Sequence, residues 1–265
     1  MKTLYFIVFS ISLLFLSCEG PKPKDIRNEY LRNNLSDADY QKGKELLHKM
    51  QEAYGGKNNW LDKKQARFVQ VADWYGNNII GRWDTLPQIF EMISELGEDN
   101  SSLILKNGPT QGTYWAIKNG ETFSKEEGKE VKEENETMKD KLLFKNYWFQ
   151  FPFRISEAEH IIYAGQEKVG EKDYELIYAI WGSEEANAEY DQFILYLDPA
   201  TFFIEYLYFT VRDKARILAL SARFDDFKSI DNISLPHSQF VTKGKPGADG
   251  LKFHENHYLE IEWLP

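Results

Sequence analysis

Side chains suited to catalysis or metal binding are few in this chain of 265 residues, which holds five histidines and one cysteine. His254 and His257 stand three residues apart, and histidine is a common metal ligand. We expect a strand there, however, and strand side chains alternate between two faces, so these histidines should point to opposite sides. Asp225 and Asp226 are adjacent near a predicted strand end and should diverge for the same reason. The spacing therefore predicts neither a metal site nor a pair of cooperating carboxylates.

Recognisable catalytic motifs are absent from the sequence. It contains no Gly-x-Ser-x-Gly, no glycine-rich phosphate loop and no zinc-type spacing of histidines and cysteines. His48 falls on the polar side of a predicted helix, which favours a surface position. We therefore expect a protein that is not an enzyme and that uses no cofactor and no metal. An envelope hydrolase, with catalytic residues scattered along the chain, is the least favoured alternative.

The cysteine lies at the end of a segment typical of bacterial export signals. Lys2 provides a positive start, and the run from Leu4 to Leu16 is apolar except for two serines. A helix that spans a membrane needs roughly 20 apolar residues, and this run is shorter, which favours a cleaved signal. Ser17 and the two residues before it resemble a lipobox, with Cys18 at the position that receives lipid. An ordinary secretory signal with an incidental cysteine is the alternative.

These observations predict an organisation in three parts. Residues 1–17 would be a lipoprotein signal peptide, residues 18–35 a polar tether behind the lipidated Cys18, and residues 36–265 a single folded domain. We expect the lipid to hold the protein in the cell envelope, at the outer membrane and facing the periplasm. The acyl chains attached to Cys18 would be its contact with the membrane.

Charge restricts the partners of the folded domain. The chain has 42 acidic and 32 basic residues, for a formal net charge of −10. An acidic surface repels phosphate backbones, so nucleic acid is not an expected partner. Adhesion to anionic lipid through basic clusters is not expected either. Because Cys18 is the single cysteine, no intramolecular disulfide can form, and the fold has to be held by its apolar core.

The predicted elements are one long helix followed mainly by strands. Ser36 and Asp39 form a capping-box pattern in front of a helix from Asp37 to Tyr54, which Gly55-Gly56 should end. The charged segment Ser124–Lys141 is interpreted as a solvated loop that leads into a second helix. That helix should end before Pro152, because proline disfavours helical geometry at the residue before it.

The strand pattern predicts a mainly β, α+β fold. About 11 to 12 strands joined by short turns favour one curved antiparallel sheet, without the alternating helices that a parallel sheet needs. Two of the expected strands are Ala66–Tyr75 and Ile79–Leu86. Several later strands are apolar on both faces, with Ile204 and Tyr206 predicted to share one face. The second face must then be covered by a helix, by a closing barrel wall or by an apolar ligand.

Three segments carry a resemblance to a known family. They are HKMQEAYGGKNNW at His48–Trp60, YWFQFPFRI at Tyr147–Ile155 and DDFKSIDNISLP at Asp225–Pro236. Together they resemble the outer-membrane lipoprotein-sorting superfamily, the LolA/LolB-like proteins, in a version typical of Bacteroidetes lipoproteins. The resemblance implies an incomplete antiparallel half-barrel wrapped around helices, with an apolar cavity that accepts acyl chains. The lipid anchor predicted at Cys18 would match LolB rather than the unanchored LolA.

The function that this resemblance implies is binding of a lipid or another hydrophobic ligand, with a role in lipoprotein or lipid trafficking. The candidate cavity residues are large apolar side chains on predicted strands: Phe68, Trp74, Trp83, Phe90, Met92, Trp115, Trp181, Ile204 and Tyr206. The alternative is a structural or interaction module that binds no ligand and joins a protein partner of the envelope. That module would fill the same inner space with its own side chains.

Overall fold

A computed structural model describes residues 22–75, 87–186, 189–212 and 216–265. The predicted strand Ile79–Leu86 lies outside these ranges. The helices are α1 Arg27–Tyr30, α2 Asp37–Ala53, α3 Lys57–Asp62 and α4 Glu136–Arg154, followed by a 3-10 turn at Ile155–Glu157. The strands are β1 Gln65–Asp73, β2 Gln88–Glu95, β3 Ser101–Leu105, β4 Tyr114–Lys118, β5 Glu121–Glu126, β6 Lys129–Lys132, β7 His160–Val169, β8 Lys172–Ile180, β9 Phe193–Leu197, β10 Ile204–Thr210, β11 Ala219–Ile230, β12 Ile233–Lys243 and β13 Lys252–Leu264.

All thirteen of these strands belong to one antiparallel sheet. Their order is β6-β5-β4-β3-β2-β1-β13-β12-β11-β10-β9-β8-β7, so β1 pairs with β13 and joins two meanders. β6 and β7 lie at the two edges of the sheet and are not paired with each other. α4 connects these two edges across one face of the sheet. Within the described ranges, no helix is both long and apolar enough to cross a membrane.

The prediction of a mainly β, curved antiparallel half-barrel around helices is confirmed, with thirteen described strands where 11 to 12 were expected. The segment Ser124–Lys141 is not a loop, because its first part belongs to the hairpin of β5 and β6. All four side chains of β6 are exposed. A strand with no buried face lacks the alternation of apolar and polar residues on which sequence-based assignment depends.

α2 begins and ends as the sequence predicts. The Ser36 hydroxyl and backbone N–H both donate to the Asp39 carboxylate, and the capping box is complete. Gly55 ends the helix with φ of 109°, and an added Cβ would lie 2.0 Å from the carbonyl oxygen of Asn232. Glycine is therefore required at Gly55 both by its backbone conformation and by the close approach of the β11–β12 turn.

α4 is longer than predicted at both ends, running from Glu136 through Pro152 to Arg154. Proline in the last turn removes only one backbone donor. The aromatic side chains on either side of it are buried, Phe151 near Phe193 of β9 and Phe153 against Trp60 of α3. This burial stabilises the final turn more than the missing hydrogen bond weakens it. The prediction that the helix ends before Pro152 was therefore wrong.

The two faces of the sheet carry separate apolar clusters. The inner face, which we define as the one covered by α2, α3 and α4, holds the main core. The outer face holds a smaller cluster rich in tyrosine. In β8 the alternation is regular, because Tyr174, Leu176, Tyr178 and Ile180 lie on the outer face while Ile177 and Ala179 lie on the inner face.

The outer cluster is covered by the chain that precedes α2. Ile26 is fully buried there, Tyr30, Leu31 and Leu35 pack against the same cluster, and Tyr40 in the first turn of α2 joins them. We call residues 24–31 the N-terminal strap. Residues 18–35 were expected to be a polar tether. The apolar side chains of the strap instead pack on this tyrosine-rich surface, so the strap is part of the folded body. The sheet thus needs no ligand on its outer face.

A β-bulge changes the faces of β10. Its register against β9 shifts between Ile204 and Tyr206. Ile204 consequently lies in the inner core, whereas Tyr206 packs against the outer cluster. The prediction that these two side chains share a face was wrong, because a bulge adds a residue and reverses the alternation beyond it.

Candidate ligand cavity

A cavity of about 500 Å³ lies between α4 and the inner face of the sheet. One side of α4 forms its first wall. The side chains concerned follow helical spacing, since they recur three or four residues apart along one face. They are Asp140, Leu143, Phe144, Tyr147, Trp148 and Phe151.

The opposite wall comes from strands that are distant in sequence. Phe193, Phe209 and Leu220 lie directly across from one another on β9, β10 and β11. Val241 of β12 is paired with His254 of β13 and continues the wall. Antiparallel pairing thus places apolar side chains from five consecutive strands, including Phe253, along one side of the cavity.

The mouth of the cavity is marked by its solvent-exposed lining residues, Asp99, Asp140 and Glu189. Asp99 forms an ion pair with Arg154 at 2.6 Å. The Asp191 carboxylate at the same rim accepts hydrogen bonds from the Thr210 hydroxyl at 3.0 Å and the Arg212 N–H at 2.7 Å. Carboxylates thus outnumber other charged groups in the described lining of the entrance, in contrast to the apolar interior.

Titratable groups deeper in the cavity wall are held neutral. Burial, together with the positive charge of Lys145, keeps the pKa of His254 well below its usual value. Burial also raises the pKa of Tyr147. Behind the wall, burial and the charge of Lys141 lower the pKa of Lys145 to about 7. A neutral imidazole and a neutral phenol among aromatic side chains suit an uncharged, apolar ligand.

Buried amides of α4 fix the helix that forms the first wall. The Gln150 side chain donates to Glu95 O at 3.1 Å and accepts from the Gly97 N–H at 2.6 Å. Asn146 donates to Glu98 O at 2.8 Å and also accepts a hydrogen bond from the Ser94 hydroxyl. Gln150 and Asn146 are fully buried, so these bonds satisfy polar groups that have no access to water. They set the position of α4 relative to β2.

The nine side chains predicted from sequence are only partly brought together. Trp74 lines the cavity. Four others, Phe68, Phe90, Met92 and Ile204, are fully buried in the packed inner core instead. Trp115 and Trp181 are half-buried at the margin of that core. Tyr206 lies on the outer face, and Trp83 is outside the described residues.

Sequence reasoning missed most of the α4 wall. Leu143, Phe144, Tyr147, Trp148 and Phe151 line the cavity, and their spacing is a helical signal that could have been found. The segment was assigned to a helix, but its apolar face was not separated from the residues that pack on the sheet. The reason is that α4 is buried nearly all round, so composition does not distinguish a packed face from a cavity face.

The histidines and the aspartates singled out in the sequence point to different surroundings in the structure. His254 lies in the cavity wall, while His257 on the other face of β13 is bonded to Glu255 and Ser238. Asp225 and Asp226 are each paired with a cation of their own strand. Among the described residues, no three metal-ligating side chains come together.

Similarity to known proteins is visible in the fold rather than in the sequence. No protein-family profile matches the chain, and no curated protein matches it. A domain designated as outer membrane lipoprotein-sorting, from Vibrio parahaemolyticus, superposes with a TM-score of 0.53 and 12% identity, over 84% of this chain and 93% of its own. A DUF1329 family protein from Desulfovibrio piger superposes with a TM-score of 0.54 and 12% identity, over 85% of this chain and 93% of its own. For a LolA superfamily protein from Nitrosomonas europaea the TM-score is 0.48 and the identity 12%, over 79% of this chain and 94% of its own.

The chain has the LolA/LolB-like fold of lipoprotein-sorting proteins, as the sequence resemblance predicted. At 12% identity the superposition shows the fold alone, and the activity has to be argued from the site.

Proposed function

We propose that this protein is a lipid-anchored component of the cell envelope whose cavity binds acyl chains of a lipid or another apolar ligand. The observation that carries this proposal is the aromatic-lined cavity of about 500 Å³ between α4 and the sheet. Ligand sites commonly measure about 300 to 1,000 Å³ and are mostly apolar with few polar groups. The cavity fits that description in both size and lining.

The binding energy would come from burial. Each methylene moved from water into an apolar site contributes about 0.8 kcal/mol, so even part of an acyl chain would be held. The described lining of the mouth contains carboxylates and no lysine or arginine, which does not favour an anionic headgroup inside the entrance. An uncharged or zwitterionic lipid, with its head outside, suits this arrangement better.

The envelope location follows from the N-terminal sequence. Residues 1–17 would be removed as a signal peptide and Cys18 would carry the lipid, with the outer membrane as destination and the folded domain facing the periplasm. The LolA/LolB-like fold supports a role in lipid or lipoprotein trafficking. Mass spectrometry of the mature N-terminal peptide tests the anchor, because a lipidated Cys18 adds the mass of its acyl groups. A Cys18→Ala variant should leave the membrane fraction.

Ligand binding is tested by native mass spectrometry of the full chain in a mild non-ionic detergent, after incubation with envelope lipids. Leu143 is a half-buried lining residue, so Leu143→Trp should fill part of the cavity and reduce lipid occupancy. Leu259→Trp is the matched control, because Leu259 is exposed on β13 and does not line the cavity. We expect an affinity loss of about tenfold, or roughly 1.4 kcal/mol, in the first variant and none in the second.

Two outcomes would contradict the proposal. Equal lipid occupancy in Leu143→Trp and Leu259→Trp would place the bound lipid outside the cavity. A lipid-free mass for the wild-type protein under all conditions would instead favour the interaction module, and crosslinking in the envelope would then identify its protein partner.

A further inference from the structure

The N-terminal strap is held by specific contacts to the outer face of the sheet. Ile26 is fully buried in the outer cluster with Tyr178, Ile194 and Tyr208. The backbone N–H of Lys24 donates to Arg216 O at 2.7 Å. Burial of a whole isoleucine side chain contributes about 1.5 to 3 kcal/mol, so the strap has a defined position.

A buried glutamine forms hydrogen bonds with the beginning of the strap. Gln192 is fully buried, and its Oε1 accepts hydrogen bonds from the Ile26 N–H at 2.9 Å and from Arg212 at 3.1 Å. Its Nε2 donates to Asp25 Oδ1 at 2.9 Å. The oxygen and the nitrogen of this amide are therefore both hydrogen-bonded to the strap, and the chain enters the fold at a fixed place.

That place is the rim of the cavity. The chain neighbours of Gln192, Asp191 and Phe193, both line the cavity. The Gln192 N–H donates to the Thr210 hydroxyl at 2.9 Å, and this hydroxyl donates to Asp191. The start of β9 and the end of β10 consequently carry the strap on their outer face and the mouth of the cavity on their inner face.

The leash between the strap and the anchor is short. Five residues separate Cys18 from Lys24, so their Cα atoms are at most about 20 Å apart. Two of the five are prolines, which favour extended chain. The opposite end of the sheet is farther away, since β11 runs from Ala219 near the rim to Ile230, roughly 36 Å at about 3.3 Å per residue.

We infer that the strap and its short leash hold the cavity mouth against the membrane that carries the anchor, so that the lipid surface is the partner with which the cavity exchanges ligand. This inference rests on the lipidation of Cys18 in the proposed function. The described lining of the mouth includes carboxylates and no lysine or arginine, so charge does not draw it to an anionic surface. The covalent leash alone supplies the orientation, which should therefore be insensitive to salt.

Energy transfer on liposomes tests this orientation. The full lipidated chain is reconstituted in phosphatidylcholine vesicles with an acceptor dye on the lipid headgroups. A donor dye is placed on Ile217→Cys, beside the rim, or on Asp231→Cys, in the β11–β12 turn at the far end. Both positions are exposed, and Cys18 is blocked by its lipid. With a leash of about 20 Å, transfer from position 217 should exceed that from position 231 roughly twofold or more, at low and high salt.

A leash variant provides the matched control. Insertion of about 20 Gly/Ser residues after Gly20, a coil of roughly 25 Å, leaves the strap and the cavity unchanged. The difference between the two donor positions should then be lost. Equal or greater transfer from position 231 in the lipidated protein without the insertion would overturn this inference alone. An N-terminal peptide without lipid would overturn the lipidation and this inference together. A lipid-free cavity would overturn the proposed ligand and its exchange with the membrane, and the energy-transfer result would still decide the orientation.

Discussion

Phe68 of β1 stacks on Phe149 of α4, with ring centroids 4.2 Å apart and ring planes 21° apart. Both side chains are buried, and Tyr258 of β13 contacts both rings edge-on. This cluster joins α4 to the sheet at the point where β1 and β13 connect the two meanders. It belongs to the packed core and lies outside the lining of the cavity.

Phe68→Ala is therefore expected to reduce stability without altering ligand affinity. Removing a buried phenylalanine side chain costs about 3 to 5 kcal/mol, measured as the free energy of unfolding in urea. Ligand affinity at low temperature, where the variant remains folded, should match that of the wild type. If Phe68→Ala kept its stability but lost binding, Phe68 would have to be part of the ligand site after all.

Gln150→Leu should destabilise the protein because it removes the amide that bonds the Gly97 N–H and the Glu95 carbonyl. Each buried polar group left unpaired costs about 1 to 3 kcal/mol, so we expect a loss of roughly 2 to 4 kcal/mol on urea denaturation. Glu136→Leu changes an exposed position on the same helix and should have little effect. Equal stability of the two variants would mean that α4 is positioned by apolar packing alone.

Gly43→Ala should destabilise α2, although alanine normally favours a helix over glycine by about 1 kcal/mol. An added Cβ would lie 2.8 to 3.0 Å from backbone atoms of Ile161, Ile162 and Tyr163 in β7. Backbone atoms of a paired strand cannot move aside, and overpacking of this kind costs about 1 to 3 kcal/mol. Thermal unfolding should show a lower midpoint.

The neighbouring exposed position serves as the control for this substitution. Lys44→Ala introduces alanine one residue further along the same helix and meets no strand. Its midpoint should stay close to that of the wild type. A higher midpoint for Gly43→Ala would show that α2 lies farther from β7 than the structure indicates.

The lowered pKa of His254 predicts how the stability of the protein depends on pH. Burial and the charge of Lys145 on α4 hold the pKa of His254 well below its usual value. The Trp74 ring stacks on the imidazole, with the ring centroids 3.7 Å apart. The unfolded chain therefore takes up a proton near pH 6.5 that the folded chain does not. The stability contributed by neutral His254 is complete above pH 6.5 and is progressively lost as the pH falls below 6.5.

His254→Phe keeps a ring against Trp74 and removes this proton. The free energy of unfolding should then fall less between pH 7 and pH 4.5 than in the wild type, as measured by urea denaturation at each pH. His48→Gln removes an exposed histidine instead and is the control. An unchanged pH dependence in His254→Phe would mean that His254 takes up its proton in the folded protein as readily as in the unfolded chain.

Local pattern in the sequence was enough to predict several elements. The capping box of Ser36 and Asp39 and the glycine at Gly55 define α2, because caps are made by residues a few positions apart. Alternation is regular in β8, where Tyr178 and Ile177 lie on opposite faces because strand side chains change face at every residue. The same rule predicted that His254 and His257 would diverge.

Tertiary structure decided which apolar surfaces meet each other. The bulge that separates Ile204 from Tyr206 depends on pairing with β9, and no local pattern records it. The cavity wall on α4 exists only because the sheet curves around a helix that is buried on its other sides. The strap was expected to be a tether because its own composition is polar, and Ile26 is buried there by strands more than 150 residues away in sequence. Periodicity along a chain specifies faces, whereas contacts between distant segments specify what covers them.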